Sequence, residues 1–315
     1  MGTRYVNLVC DFFKRNTKPK AEIIEGLLCE GQLAAFAGPF GVGKSPLLAD
    51  LTVCLVRGIN WCGRRVEQRP VILVDCETAG PDYKRAVQSI AARYQVTKPR
   101  VPDELRAFLE HDDQQQWATA ALLGALEIRG HLSKLNLLRD ALTEKPNAVV
   151  FVDPLELFFL LDTVKKIEVM VLYIKLRKLL ADFPHSALVG TFNLRKQHRT
   201  KGRPNLLSAP RDWLEEVCGS LDLLNRSDVR LGMDIHPGND EIRVVNGVVR
   251  GRDMHPILIR SVVHAGDQLA GFEQVTPDQM DLLAALTKKQ KSIGTSYPVS
   301  SDLKKSQTDL CLDRV

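Results

Sequence analysis

The stretch of sequence that decides the fold is "FAGPFGVGKSPLLADL", residues 36–51. Within it Gly38, Gly43, Lys44 and Ser45 stand at the spacing G-x-x-x-x-G-K-[ST]. In such a loop the backbone amides converge on phosphate oxygens, and the positive pole of the following helix adds to the attraction. The apolar run "GQLAAFAG" predicts a buried strand before the loop, and "KSPLLADLTVCLVRG" predicts a helix after it. A strand, loop and helix in this order favour a phosphate-binding loop over a chance match.

The loop and the start of its helix supply the predicted nucleotide-binding residues. They are Gly38, Pro39, Phe40, Gly41, Val42, Gly43, Lys44, Ser45 and Pro46. We expect Lys44 to act in catalysis by placing its ammonium against the β- and γ-phosphates, and the Ser45 hydroxyl to bind Mg²⁺. Pro46 is tolerated because an amide in the first helical turn has no partner within the helix. The predicted ligand is therefore ATP, with Mg²⁺ as cofactor.

Two further apolar runs end in acidic residues. "NAVVFVDP" predicts a strand that ends at Asp153, the usual place for a carboxylate of the magnesium shell. "PVILVDCE" predicts another strand, with Asp75 and Glu77 at its end. Ligands of open α/β sheets bind at the carboxyl ends of strands, so a carboxylate here could face the γ-phosphate and act as general base for water. Side-chain alternation and position favour Glu77, with Asp75 as the competing candidate.

Strands and helices alternate along most of the chain. The periodicity predicts helices over residues 82–95, 131–143 and 165–182, with a strand in "SALVGTFN". The later segments "SLDLLNRSDVRLGMD", "EIRVVNG" and "HPILIRSVV" are expected to form further strands and turns. The alternation predicts an α/β fold with a mainly parallel central sheet, right-handed crossovers and flanking helices.

Three regions are expected along the sequence. Residues 1–20 have the pattern of a short amphipathic helix, and residues 21–272 would form the nucleotide-binding domain. A helix with Thr276 at its N-cap opens the third region, residues 273–315, which turns polar and weakly ordered beyond Lys291.

The composition narrows the class of protein. The 315 residues are 44% hydrophobic and 26% charged, as in soluble globular proteins, and the net charge of +5 alone says little about partners. The seven cysteines include no C-x-x-C pair, which favours reduced thiols and a cytoplasmic location over disulfides or a zinc site. The longest apolar run, residues 148–161, contains two acids and is too short to span a bilayer, so no membrane partner is expected.

Taken together, the blocks resemble the RecA-like ATPases of the RepA/DnaB helicase class, often described as AAA-type ATPases of bacterial mobile elements. The matching segments are "EGQLAAFAGPFGVGKSPLLADL", "RPVILVDCET", "NAVVFVDP", "LVGTFNLRK", "CGSLDLLNRSDVRLGMD" and "NGVVRGRD". They follow the order of the family and span about residues 22–262. The resemblance implies a RecA-like P-loop fold, ATP hydrolysis and a homo-oligomeric ring such as a hexamer.

The resemblance also implies roles for single residues. Glu77 would be the catalytic glutamate, and Asp153 the acid of the magnesium shell. Asn193, at the end of "LVGTFN", matches the polar sensor of the γ-phosphate, where the family usually has Gln or His.

In "NGVVRGRD", Arg250 and Arg252 are two residues apart. If this segment stays extended, both guanidiniums point to the same side. In RecA-like rings, paired cations here reach the γ-phosphate that the neighbouring subunit holds, with Arg252 favoured as the arginine finger and Arg250 in support. The alternative is a charged β-turn centred on Gly251.

The segment "NLRKQHRTKGRP", residues 193–204, is basic and contains no acid. Its cations are Arg195, Lys196, Arg199, Lys201 and Arg203. In RecA-like proteins the loop that leaves the sensor strand faces the central channel and grips single-stranded DNA, through salt-sensitive phosphate contacts. The alternative is a solvated charged loop. Single-strand binders usually add stacking aromatic residues, and the segment offers only a histidine in that role.

These features favour an oligomeric, ATP-hydrolysing motor or remodeller that acts on DNA. An ATP-dependent regulatory or clamp protein with slow turnover shares every motif and stays open as an alternative. A small-molecule kinase ranks last, because it would need an arginine-rich lid and an acceptor pocket.

Overall fold

A central sheet organises residues 20–76, 80–94, 131–195, 203–219, 222–264, 269–276 and 278–280, which are the part of the chain that the computed structural model describes. The strands are β1 (Glu22–Ile24), β2 (Leu28–Cys29), β3 (Leu33–Gly38), β4 (Val71–Asp75), β5 (Val149–Asp153), β6 (Ala187–Asn193), β7 (Val229–His236), β8 (Asn239–Val249), β9 (Arg252–Asp253), β10 (Ile257–Val263) and β11 (Leu269–Gln274). The helices are α1 (Lys44–Arg57), α2 (Gly80–Arg93), α3 (His131–Glu144), α4 (Leu155–Phe159), α5 (Lys166–Asp182), α6 (Pro210–Leu214) and α7 (Asp222–Asn225).

The strand order across the sheet is β4-β5-β6-β3-β7-β8-β10-β11, with β9 paired to β8. From β4 to β7 all neighbours are parallel, while β8, β10 and β11 continue the sheet in antiparallel pairs. In register, Gly38 lies opposite Asn193, and Asp75 lies opposite Asp153. The carboxyl ends of β3, β4, β5 and β6 therefore meet at one edge of the sheet.

Helices cover both faces of the parallel strands. β3 and β5 are buried along their whole length, which explains why they are continuously apolar rather than alternating. One apolar cluster packs α1 and α2 on one face through residues such as Leu48 and Ile90, and the other packs α3 and α5 through residues such as Leu138 and Leu172. The predicted α/β architecture with flanking helices is confirmed.

The predicted helices agree closely with α2, α3 and α5, but one expectation was wrong. The first part of "SLDLLNRSDVRLGMD" forms the short helix α7, and the strand begins only at Val229. Leu223 and Leu224 are both buried, and an adjacent apolar pair fits a buried helical turn as well as a strand.

Contacts within the chain divide it into two units, residues 1–274 and 275–315. In the second unit the Met280 amide donates to the Thr276 carbonyl at 3.0 Å, and Gln279 Oε1 accepts from the Thr276 amide at 2.8 Å. The second bond is the returning half of a capping box. Residues 1–19 lie outside the described part of the chain, so the N-terminal helix and the domain boundaries stay predictions. Among the described helices, none has the length and apolar character that crossing a membrane requires.

Candidate nucleotide site

The loop between β3 and α1 has the shape that its glycines allow. Gly43 caps α1 with φ 108°, a left-handed conformation that glycine adopts without strain. At the start of the loop, a Cβ on Gly38 would lie 2.9 Å from Val42 Cγ1 and 3.0 Å from the Met233 carbonyl oxygen. The chain therefore turns tightly from the end of β3 into the N-terminus of α1, where the helix dipole favours an anion.

Lys44 lies within this loop with a side chain that is only 7% exposed. Its Nζ donates to the Gly38 carbonyl at 3.0 Å, the Pro39 carbonyl at 3.1 Å and Asn193 Oδ1 at 3.0 Å. The structure thus brings two predicted catalytic residues into direct contact. Asn193 reaches the loop because β6 lies beside β3 in register.

A residue that the sequence did not indicate also holds the loop. Arg243 on β8 donates from Nε to the Val42 carbonyl at 3.1 Å, and its own β-strand neighbours include Ile235 and Ile259. An arginine within the apolar strand "EIRVV" was a weak signal, because its partner depends on β8 returning beside β7.

The acidic strand ends lie side by side next to the loop. Asp153 is 2% exposed and accepts a hydrogen bond from the buried hydroxyl of Thr191 on β6. The Cys76 amide donates to the Asp153 carbonyl at 2.8 Å, so β4 and β5 remain paired to their ends. Glu77 itself lies outside the described residues. Thr191, which the sequence had not singled out, orients a carboxylate in the way that outer-shell partners orient metal ligands.

The donor set suits magnesium. Mg²⁺ prefers oxygen ligands and usually takes one or two from the protein beside phosphate and water oxygens. Ser45 and Asp153 offer a hydroxyl and a carboxylate of this kind. Within the described ranges, no cluster of three or more His, Cys, Asp or Glu forms a separate metal site.

The segment with Arg250 and Arg252 is not extended, contrary to the condition set for it. Arg250 has φ 52° and Gly251 has φ 80°, and Val249 pairs with Arg252. Two central residues with positive φ form a tight hairpin turn, so the arginines do not alternate along one strand. Arg250 contacts Cys29 Sγ and lies 3.4 Å from Glu22 Oε1, while Arg252 is exposed.

This turn lies far from the phosphate loop of its own chain. Val249 pairs with Val229, and Val229 pairs with Ala34 near the beginning of β3. The loop follows the other end of β3, about 17 Å away along the strand. Neither arginine can therefore reach the phosphate site of the chain that carries it.

The described ends of the basic segment are tied to the protein backbone. Arg195 donates to the Gly219 carbonyl at 3.0 Å, and Arg203 donates to the Arg195 carbonyl at 2.9 Å. These contacts draw the two ends together just beyond Asn193. Lys196, Arg199 and Lys201 lie outside the described residues.

Comparison with known proteins agrees with the fold. A family model described as "AAA domain" matches residues 3–180. The solved structure of a helicase ATPase domain is similar with a TM-score of 0.50 and 12% identity, covering 88% of this chain and 100% of that one. The flagellar accessory protein FlaH from Methanocaldococcus jannaschii matches with a TM-score of 0.45 and 13% identity, covering 78% and 90%. None of the curated proteins matches in sequence. The predicted RecA-like P-loop ATPase fold is confirmed.

Proposed function

The chain belongs to the AAA domain family, and from this premise we propose that it is an oligomeric, ATP-hydrolysing motor or remodeller that acts on single-stranded DNA. The observation that carries the proposal is the 3.0 Å hydrogen bond between Lys44 and Asn193. It joins the phosphate loop to the end of β6, from which the basic segment leaves. A change at the phosphates is thus two residues away from Arg195, the first cation of the proposed DNA contact.

Each residue of the site has a role in the proposed hydrolysis. Lys44 places positive charge against the phosphates, where its charge-assisted bonds are stronger than those to neutral carbonyls. Magnesium, when bound, neutralises charge that develops on the transferred phosphoryl group. Ser45 and Asp153 hold the ion, and Thr191 keeps the Asp153 carboxylate oriented. Glu77 takes a proton from the attacking water as general base.

The proposal includes assembly and location. Hydrolysis at an interface between chains fits a homo-oligomeric ring such as a hexamer, since Arg250 and Arg252 lie away from their own phosphate loop. A cytoplasmic location follows from the expectation of reduced cysteines.

The test is the rate of phosphate release with and without single-stranded DNA. We expect DNA to accelerate release by the wild-type protein. Lys44→Ala should abolish Mg·ATP binding because the charge at the phosphates is lost. Glu77→Gln should keep nucleotide affinity but lower turnover by about 10²–10⁴-fold, the usual contribution of a general base.

Lys145→Ala is the matched control, because Lys145 is an exposed lysine before β5 and its loss should change neither quantity. Wild-type turnover by Glu77→Gln would show that another group is the base. Turnover that ignores DNA would contradict the motor and favour the slow clamp.

A further inference from the structure

Helix α5 is apolar on two opposite sides. Its inner side packs into the core, where Leu172 and Leu176 are at most 1% exposed. Its outer side carries a second apolar row, which we call the α5 stripe: Val164 (79% exposed), Ile167 (71%), Val171 (38%) and Ile174 (57%). The last three are spaced i, i+4, i+7, so they lie above one another on one helical face.

Such a row is unusual on a free surface. Scattered single apolar side chains are ordinary, but contiguous exposed patches mark contact sites, and helices that are apolar all round are generally buried. The α5 stripe therefore calls for a covering element.

The N-terminal part of the sequence supplies a matching pattern. Between residues 5 and 13, large apolar residues recur at i, i+3, i+4, i+7 and i+8, the spacing of an amphipathic helix. They are Tyr5, Leu8, Val9, Phe12 and Phe13. These residues precede the described part of the chain, but the AAA domain match begins at residue 3 and so includes them.

The described chain begins beside the carboxyl end of α5. Lys20 Nζ donates to the Gly31 carbonyl at 3.3 Å. A Cβ on Gly31 would lie 3.2 Å from Lys20 Nζ and 3.3 Å from the carbonyl oxygen of Pro184, just beyond α5. The Gly31 amide in turn donates to the Ser186 carbonyl at 2.7 Å. The segment is thus tethered next to the helix that carries the stripe.

The tether is long enough for the segment to reach the stripe. Residues 14–19 can span up to about 20 Å when extended. Along α5, Ile174 lies about 15 Å from Pro184 and Ile167 about 26 Å. A helix over residues 5–13 is about 13 Å long, close to the length of the stripe.

We propose that residues 5–13 form an amphipathic helix that packs its apolar face on the α5 stripe of the same chain. The contact buries both apolar surfaces and makes the N-terminal segment part of the domain. It does not depend on the proposed ATPase or DNA activity.

The experiment is limited trypsin digestion of the full chain, without nucleotide, with mass detection of cleavage after Lys14 and Arg15. Ile167→Ser with Ile174→Ser should speed this cleavage about tenfold, because losing part of two buried side chains weakens docking by roughly that factor. Phe12→Ser with Phe13→Ser should do the same from the other side. Combining all four should add little, since both pairs remove one contact. Val263→Ser, which removes an apolar side chain that is 59% exposed on β10, should leave the rate unchanged.

Dilution separates the possible occupants of the stripe. Intramolecular docking predicts protection that is independent of protein concentration. Protection that is lost on dilution would overturn the proposal in favour of a second copy of the chain. Equal cleavage of wild type and both double variants would also overturn it, leaving the stripe to another occupant.

Discussion

At the scale of single residues, Lys44 is held in a state that phosphate binding must change. An ammonium has three N–H donors, and here they match three acceptors: the Gly38 and Pro39 carbonyls and Asn193 Oδ1. To face phosphate oxygens, Lys44 has to give up at least part of this set. Asn193 then loses its donor, which offers a direct way for β6 to respond to the nucleotide.

Asp50 is a buried acid on α1 outside the proposed chemistry. It is fully buried and accepts from Trp61 Nε1 at 3.1 Å, from the Tyr94 hydroxyl at 3.2 Å and from the Phe272 amide at 3.4 Å. These bonds connect α1 with the end of α2 and with β11. Burial raises the pKa of Asp50 to about 6, although the hydrogen bonds and the nearby Arg93 lower it in part. Its role is structural.

The raised pKa predicts a pH-dependent contribution to stability. The native carboxyl holds its proton more tightly than the unfolded one, so its stabilisation is greatest below about pH 4 and is lost as pH rises through about 6. The unfolding free energy of wild type relative to Asp50→Asn should fall by about 3 kcal/mol from pH 4 to pH 7. Urea unfolding at several pH values measures this difference.

Asp140→Asn controls for loss of an exposed carboxyl on α3. Its stability relative to wild type should vary far less over the same range. A difference between wild type and Asp50→Asn that stays level from pH 4 to pH 7 would contradict the assignment.

At the scale of elements, the sequence predicted what depends on neighbours along the chain. The phosphate loop, α1 and α5 follow from local spacing, and Pro46 falls in the first turn of α1 as expected. Contacts between distant strands could not be predicted. Arg243 meets Val42 only because β8 returns antiparallel beside β7, and Thr191 meets Asp153 only because β6 pairs with β5. Glu77 stays a prediction.

The hairpin turn at Gly251 shows the same limit. An isolated "RGR" fits an extended strand or a turn, and positive φ at Arg250 arises because β9 folds back on β8. Strand pairing decided between two local conformations that the sequence left open.

The basic segment divides into anchored and unanchored cations. Arg195 and Arg203 already donate to backbone carbonyls, so replacing them would disturb the protein as well as any ligand contact. The middle cations, Lys196, Arg199 and Lys201, are the better probes of nucleic acid binding.

Neutralising these three residues to glutamine should weaken single-stranded DNA binding and flatten its salt dependence. Each lost phosphate contact reduces the slope of log K against log salt by about 0.7 for a single strand, so three contacts give a change of about 2. Fluorescence anisotropy over a salt series measures both, and ATPase without DNA should stay unchanged. Replacing three exposed cations elsewhere, Arg57, Lys145 and Lys178, is the matched control. An unaltered affinity and slope would remove the segment from the DNA site.

At the scale of the whole molecule, the sheet separates two charged features. The phosphate loop follows the carboxyl end of β3, and the Arg250–Gly251 turn lies at the opposite edge. Within one chain they cannot meet. In a head-to-tail ring, each interface joins two different surfaces, so one chain's turn can approach its neighbour's loop.

The last prediction tests whether an arginine acts across such an interface. Arg252 is the better target, because its side chain is exposed whereas Arg250 contacts Glu22 and Cys29 of its own chain. Arg252→Ala should fold normally yet lose ~10³-fold or more in ATPase rate, and wild-type activity should rise with protein concentration. The exposed Arg57→Ala should retain full activity as the matched control.

Mixing inactive variants makes the test specific for two chains. An Arg252→Ala subunit keeps its base, and a Glu77→Gln subunit keeps its arginine, so an interface between them can hold one intact copy of each. Phosphate release should therefore recover in the mixture, while each variant alone stays inactive. Arginine is suited to this role because its planar guanidinium remains charged and binds phosphate bidentately. If native mass measurement shows mixed oligomers but release does not recover, no arginine acts in trans, and Arg252 serves the turn alone.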